Sequence, residues 1–327
     1  MLCINHTGID PFFNVATDEY LLKNFTDDVF MLWRNENAII IGKHQNTLSE
    51  INVDYVKEKK INVVRRISGG GAVFHDLGNL NFSFMRTGED GNLVDFRKFT
   101  LPILEVLQKL GVNAKFEGRN DLTIDGKKFS GNAEHVWHNR TLHHGTLLFS
   151  SQMKDVSGAL KVNPLKFKDK AIKSVRSRVT NISDHLKEEM DVLEFRDRIM
   201  DHIMEKYPDS RFYELTPEDI KNIEKLRDEK FARWEWNYGY SPRYDFEKLV
   251  RTEKGGGVEF HLNIEKGLIK DIRIYGDFFH KHDIDVIEKS LVGVRHDADA
   301  IRQTLSAFKF DDYFKNINVD EFIEGMF

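Results

Sequence analysis

From Asn79 to Phe84 polar and apolar residues alternate strictly, with Asn79, Asn81 and Ser83 set against Leu80, Phe82 and Phe84. That is the period-two signature of a strand with two unlike faces. The same rule places strands at Val29 to Arg34 and Ala38 to Gly42, and the intervening Asn35-Glu36-Asn37 gives a compact hairpin signal. Helical spacing takes over elsewhere. Asp10-Pro11 supplies an N-cap carboxylate and a proline at the first helical position, and Phe13, Ala16 and Tyr20 follow at helical intervals. Val53 to Lys60 reads as a helix, and so does Asp95 to Leu110, whose Phe96, Phe99, Ile103, Leu107 and Leu110 share a face before Gly111 stops it. Pro102 sits inside that pattern, so this helix either begins near Thr100 or kinks at the proline.

Asn113 to Ser150 reads as three or four successive strands, with turns at Asp125-Gly126 and His138-Asn139-Arg140. Strands linked by hairpins make an antiparallel or mixed sheet, and helices packed on it make the class α+β. Helices are expected at Val192 to Lys206 and Pro217 to Arg233, followed by the aromatic run Trp234 to Tyr240 and then Pro242. The domain boundary is expected there, giving a large domain over 1–243 and a small α/β domain over 244–327. The small domain would carry strands around Gly257 to Asn263 and Leu268 to Tyr275, and helices from Asp283 onward.

Composition narrows the picture. The 327 residues are 40% hydrophobic and 31% charged, an ordinary globular balance, and the net charge of −5 carries no footprint for nucleic acid. Cys3 is the one cysteine, so no internal disulfide forms. No apolar run approaches the ~20 residues a membrane helix needs, and the N-terminus has no basic region followed by an apolar one. A cytoplasmic protein is the expectation. One local excess stands out: Lys161, Lys166, Lys168, Lys170, Lys173, Arg176 and Arg178 face a single acid, Asp169.

The candidate chemistry lies in Val64 to Phe84, where two arginines, a serine and three consecutive glycines precede the alternating strand. Gly69, Gly70 and Gly71 lack Cβ atoms, so their backbone can approach an anion closely. No Gly-Lys-Ser/Thr follows, which excludes a P-loop, and the run opens into strands joined near Asp76 to Gly78, where a dinucleotide fingerprint would open into a helix. Cations, bare amides and apolar wall within one stretch suit an anion carrying an apolar tail. Trp33 and Ile40 either line that pocket or fill the core.

The stretch resembles the signature of lipoate-protein ligases, enzymes structurally akin to biotin ligases and class II aminoacyl-tRNA synthetases. Further matches follow in family order: Gly118 to Leu122 (G-R-N-D-L), Asp125 to Ala133 (D-G-K-K-F-S-G-N-A), His143 to Leu148 (H-H-G-T-L-L) and Ser174 to Asn181 (S-V-R-S-R-V-T-N). The resemblance implies a catalytic domain of mixed and antiparallel sheets flanked by helices, with a small C-terminal accessory domain. It implies activation of lipoate, or octanoate, by ATP and Mg²⁺, then transfer to a lysine of lipoyl acceptor domains such as E2 subunits or the glycine cleavage H protein. The basic run would be the adenylate-binding loop.

Site roles follow by match. Lys128 falls on the lysine between α-phosphate and carboxylate; alternation puts Lys127 and Lys128 on opposite faces of their strand, so one points inward. Arg66 matches the phosphate-binding arginine, and Gly71, Ala72, Val73 and Phe74 match the nucleotide-contacting strand. Ser68 is a candidate donor to the acyl carboxylate, with turn chemistry as its other reading. Asn120 and Asp121 would touch the nucleotide, Asp121 also its Mg²⁺, though such a pair also reads as a turn. His75 and His144 are expected to orient substrate or satisfy backbone; zinc would need three or four converging ligands. Burying the four methylenes of the acyl chain is worth about 3 kcal/mol at ~0.8 each. Three other functions compete: an acyltransferase using a cysteine thioester, for which Cys3 is badly placed; a non-catalytic paralogue, against which Lys128 and Arg66 stand; and nucleic-acid binding through the basic run. A biotin ligase would show Gly-Arg-Gly-Arg where this chain has R-R-I-S-G-G-G.

Overall fold

The computed structural model describes every residue except 89–94, 119, 161–166, 170–178, 254–256, 277–280 and 316; for 155–157 and 167–169 it describes the backbone alone. The basic run from Lys161 to Arg178 thus lies outside the described residues, apart from the backbone of 167–169.

In chain order the first elements are β1 (Leu2–Asn5), α1 (Pro11–Asn24), β2 (Val29–Trp33), β3 (Ala38–Ile41), α2 (Thr47–Glu50), α3 (Val53–Glu58), β4 (Asn62–Arg65), β5 (Val73–His75) and β6 (Asn79–Thr87). Then come α4 (Phe96–Lys109), β7 (Ala114–Glu117), β8 (Asp121–Ile124), β9 (Lys127–Trp137), β10 (Arg140–Leu148), α5 (Met153–Ala159) and β11 (Phe167–Asp169). The rest are α6 (Val192–Lys206), β12 (Arg211–Phe212), α7 (Pro217–Leu226), β13 (Tyr244–Arg251), β14 (Gly257–Glu265), β15 (Leu268–Gly276), α8 (Asp285–Leu291), α9 (Ala298–Leu305) and α10 (Val319–Glu324).

These elements form two units. The first holds 1–43 and the described residues of 55–160 and 174–233; the second holds 44–54, β11 and 234–327. In the first unit an eight-stranded mixed sheet runs β12-β1-β2-β6-β10-β9-β8-β7, and a three-stranded sheet runs β4-β3-β5.

The strands at 29 and 38 exist, but they do not form a hairpin: β2 pairs with β1 and β6, and β3 pairs with β4 and β5. The linker explains why. Asn35 is buried, its Oδ1 accepts from Asn14 Nδ2 (2.9 Å), its Nδ2 donates to His75 Nδ1 (3.0 Å), and Glu36 N–H donates to Ile9 O (3.0 Å). Its hydrogen bonds go to the start of α1 and to β5, so the chain crosses between sheets there.

Leu80, Phe82 and Phe84 of β6 face a core shared with Phe99, Ile103 and Leu107 of α4 and Phe195, Ile199 and Ile203 of α6. Each such side chain contributes roughly 1.5–3 kcal/mol on burial. α4 begins before Thr100: Asp95 caps it by accepting from Lys98 N, and the helix runs through Pro102. The opposite face of β6 is polar and yet equally buried, with Asn79, Asn81 and Ser83 at most 1% exposed. α1 packs over that face. A strand whose polar side is shut off from bulk water leaves its amides and hydroxyl to find partners inside the protein or in a ligand, and that requirement organises the site.

The second unit carries the sheet β11-β13-β14-β15 with α8, α9 and α10. Among the described residues no helix is long and apolar enough to cross a membrane.

Candidate active site

Arg66 follows directly on β4 and is buried. Its guanidinium donates to Ile40 O (3.1 Å), Ser68 Oγ (3.0 Å), Gly69 O (2.5 Å) and Gly71 O (2.8 Å). The glycine loop is therefore wrapped around a fixed cation; burial lowers the Arg66 pKa to about 10, which leaves it charged at neutral pH. Gly70 has φ +88°, in the left-handed region that glycine takes without penalty. A Cβ on Gly42 would stand 2.1 Å from Gly70 O, so the loop touches bare backbone behind it.

Ser68 continues the network. Its Oγ accepts from Arg66 and is hydrogen-bonded to His144 Nε2 (2.6 Å). His144 Nδ1–H then donates to Asp18 Oδ2 (2.7 Å), while Asp18 Oδ1 accepts from Ser83 Oγ (2.7 Å), which accepts from Trp33 Nε1 (3.0 Å). Serine, histidine and aspartate in this order activate nucleophiles in hydrolases. Here Ser68 is fully buried and does not border the cavity, so the relay braces the loop against α1 and β6.

One cavity opens beside these groups. Of the residues expected from sequence, Arg66, Gly71, Ala72, Val73, His75, Asn120, Lys128 and His144 border it; Ser68, Phe74 and Asp121 do not. Phe74 is buried on the other side of β5. Trp33 and Ile40 line the cavity, which resolves their two readings. Asp18, Val15 and Asn81 also border it and were missed. Asp18 had no signal beyond a carboxylate among the apolar residues of α1, and Asn81 read only as one polar position of an alternating strand.

Lys128 reaches the cavity from β9, its Nζ 2.8 Å from Asp121 Oδ1. The Asp125-Gly126 turn, with φ +51° and +71°, closes the β8–β9 hairpin as its residues required. The register then slips: Thr123 pairs with Lys128 but Leu122 with Ser130, so Phe129 is the extra residue of a bulge and drops into the core. Lys127 is exposed while Lys128 is only 26% so. A Cβ on Gly131 would come within 3.0 Å of Lys128 Nζ, so the glycine leaves the lysine its room. Asn120 Nδ2 donates to Asn132 O (2.6 Å) and sets the wall beside it.

A cation on a strand, a second cation inside a glycine loop and an apolar recess share one cavity. The profile of the lipoyl protein ligase A/B catalytic domain matches residues 10–204, and that of the bacterial lipoate protein ligase C-terminus matches 241–326. The chain belongs to the lipoate-protein ligase family. It is 45% identical over 325 residues to lipoate-protein ligase 1 of Staphylococcus aureus, covering 98% of both chains. It is 42% identical to the lipoate-protein ligase LplJ of Bacillus subtilis, covering 99% of both. Among solved structures it is similar to Plasmodium falciparum LipL1 in complex with lipoate, with TM-score 0.61 and 26% identity over 99% of this chain and 98% of that one. It is similar also to a lipoate-protein ligase A bound with ATP, with TM-score 0.61 and 27% identity over 73% of this chain and 98% of that one.

Proposed function

We propose that this ligase joins lipoate, or octanoate, to ATP as an acyl-adenylate and then passes the acyl group to a lysine of a lipoyl acceptor domain. One observation carries the reading: Lys128, Gly71 and Arg66 border a single cavity that the apolar Trp33, Ile40 and Val15 also line. In the first step a carboxylate oxygen attacks the α-phosphorus and the bond to the β-phosphate breaks, releasing pyrophosphate. In the second the acceptor amine attacks the acyl carbon, loses its proton and displaces AMP. Lys128 Nζ would neutralise charge gathering between the α-phosphate and the carboxylate. Gly71, Ala72, Val73 and Phe74 would present backbone to the nucleotide, and Arg66 would hold their loop in place and lend its charge to the phosphates.

Ser68 and His144 would act through that loop on the carboxylate end, and His75 would meet the lipoyl group. Asn120 and Asp121 would touch the nucleotide. Mg²⁺ would arrive with ATP, held mainly by phosphate oxygens with Asp121 as one protein carboxylate. Residues 1–243 would perform the chemistry and 244–327 would serve as the accessory domain, in the cytoplasm. Acceptors would be lipoyl domains of E2 subunits or the glycine cleavage H protein; a related archaeal bipartite lipoate protein ligase is described together with its E2 lipoyl domain. The thioester alternative loses ground because Cys3 is fully buried in the core.

Lipoate-dependent exchange of labelled pyrophosphate into ATP tests the reading, followed by the mass increase of an added lipoyl domain. Lys128→Ala should lower exchange by ~10² or more, the usual cost of one preorganised charge stabiliser, at unchanged thermal stability. Exchange near the wild-type rate would remove Lys128 from its role.

A further inference from the structure

His75 is held as a hydrogen-bond donor that nothing among the described residues uses. Asn14 Nδ2 lies 3.0 Å from Gly8 O, 2.9 Å from Arg34 O and 2.9 Å from Asn35 Oδ1. Two of those are carbonyls, which only accept, so the Asn14 atom is the amide nitrogen and the Asn35 atom facing it is the oxygen. Asn35 must then present its nitrogen to His75 Nδ1 at 3.0 Å, and Nδ1 accepts. The ring proton sits on Nε2. Burial holds the His75 pKa down at about 3, with the Arg66 charge adding to it, so the ring is neutral and Nε2–H is its single donor.

That Nε2 is buried without a partner among the described residues, and so is Asn81 Nδ2. Both residues border the cavity and are 2% and 1% exposed. They stand with Trp33: its ring meets His75 edge-on at 5.9 Å, and it pairs with Asn81 across β2 and β6. His75 lies four residues beyond Gly71, roughly 13 Å at a strand's rise of ~3.3 Å per residue, a span that suits a medium-chain acid reaching inward from the phosphate end.

Resting on the reading above, we propose that His75 Nε2–H, with Asn81 beside it, selects the far end of the acyl chain: it favours a tail ending in a weak acceptor, such as the sulfur atoms of a cyclic disulfide, over an all-carbon tail of the same shape. A hydrocarbon filling this end leaves a buried donor stranded, and such donors are costly to leave unmade. Sulfur accepts weakly but suffices to satisfy it.

The test compares lipoate with 5-cyclopentylpentanoate, its carbocyclic isostere, in pyrophosphate exchange by the intact protein. The wild type should favour lipoate in kcat/KM by roughly tenfold, within the range for a buried unsatisfied donor. His75→Phe should bring the ratio toward one, and His75→Gln, which keeps an N–H, should retain part of it. Equal rates for the two acids in the wild type, or an unchanged ratio in His75→Phe, overturn the proposal while leaving adenylation intact. The wild-type ratio decides alone if neither variant folds. Exchange with no acid at all would sink the ligase reading and this one together.

Discussion

Asn132 decides the proton on Glu134. Its Nδ2 donates to Asn120 O (3.0 Å), so its Oδ1 is the atom 3.3 Å from His143 Nε2, which must carry the hydrogen. Burial lowers the His143 pKa well below the ordinary 6.5, so the ring is neutral, its Nδ1 accepts, and Glu134 Oε1 at 2.8 Å is the donor. Burial, which pushes Glu134 up to about 7, agrees with a neutral carboxyl; the Asp95 backbone N–H opposes the rise and the Asp95 charge adds to it. Unfolded, the group would titrate near 4.5. Its folded pKa is raised, so its share of stability is complete below about 4.5 and is lost as pH climbs through about 7, by as much as ~3 kcal/mol at 1.36 per unit. The melting temperature of the wild type should fall between pH 5.5 and 8, and Glu134→Gln, which keeps a donor for Nδ1, should flatten that slope. Parallel slopes in the two proteins would refute the assignment. None of this was legible in the sequence, where His143 and Glu134 are separate letters on neighbouring strands.

At the scale of elements, the glycine loop is held from two sides, by Arg66 donating to its carbonyls and by Gly42 lying flat beneath Gly70. Local pattern revealed the loop, the strand after it, the Asp125-Gly126 turn and the capped start of α1, but left open the start of α4, which Asp95 caps. It did not reveal the backing, because Gly42 ends an unremarkable strand and its need for hydrogen at Cα comes from residue 70. Gly42→Ala puts a methyl 2.1 Å from Gly70 O, and backbone must move to relieve it. The expected result is a fall of about tenfold or more in pyrophosphate exchange, on the scale of misplaced catalytic groups, with the protein still folded by circular dichroism. Full activity would mean the loop can shift without consequence. The supposed hairpin at Asn35 failed for a related reason: turn-forming residues specify that a chain bends, while the partners of their side chains decide where it goes next.

Over the whole molecule, the second unit has its own pH response. His296 Nε2–H donates to Met326 O (2.7 Å), its Nδ1 accepts from Tyr244 Oη (2.6 Å), and its ring stacks on Phe327 at 4.6 Å. Burial lowers its pKa to about 4 from an ordinary 6.5. Its folded pKa is depressed, so this contribution is complete above about 6.5 and is lost as pH falls through about 4. Calorimetry should therefore show the transition of the second unit weakening toward acid while that of the first weakens toward alkali, and His296→Phe should remove the acid arm. A common transition with one pH profile would contradict two independently responding units. What the sequence determined by itself was everything fixed by neighbours along the chain: strand and helix periods, caps, the tight turn, a glycine run able to meet an anion, and motifs sufficient to place the family. Tertiary structure alone decided which strands share a sheet, that the polar side of β6 is sealed, and which way each histidine proton points. Those outcomes depend on hydrogen-bond partners tens of residues away, and a period along the chain carries no information about what stands opposite it.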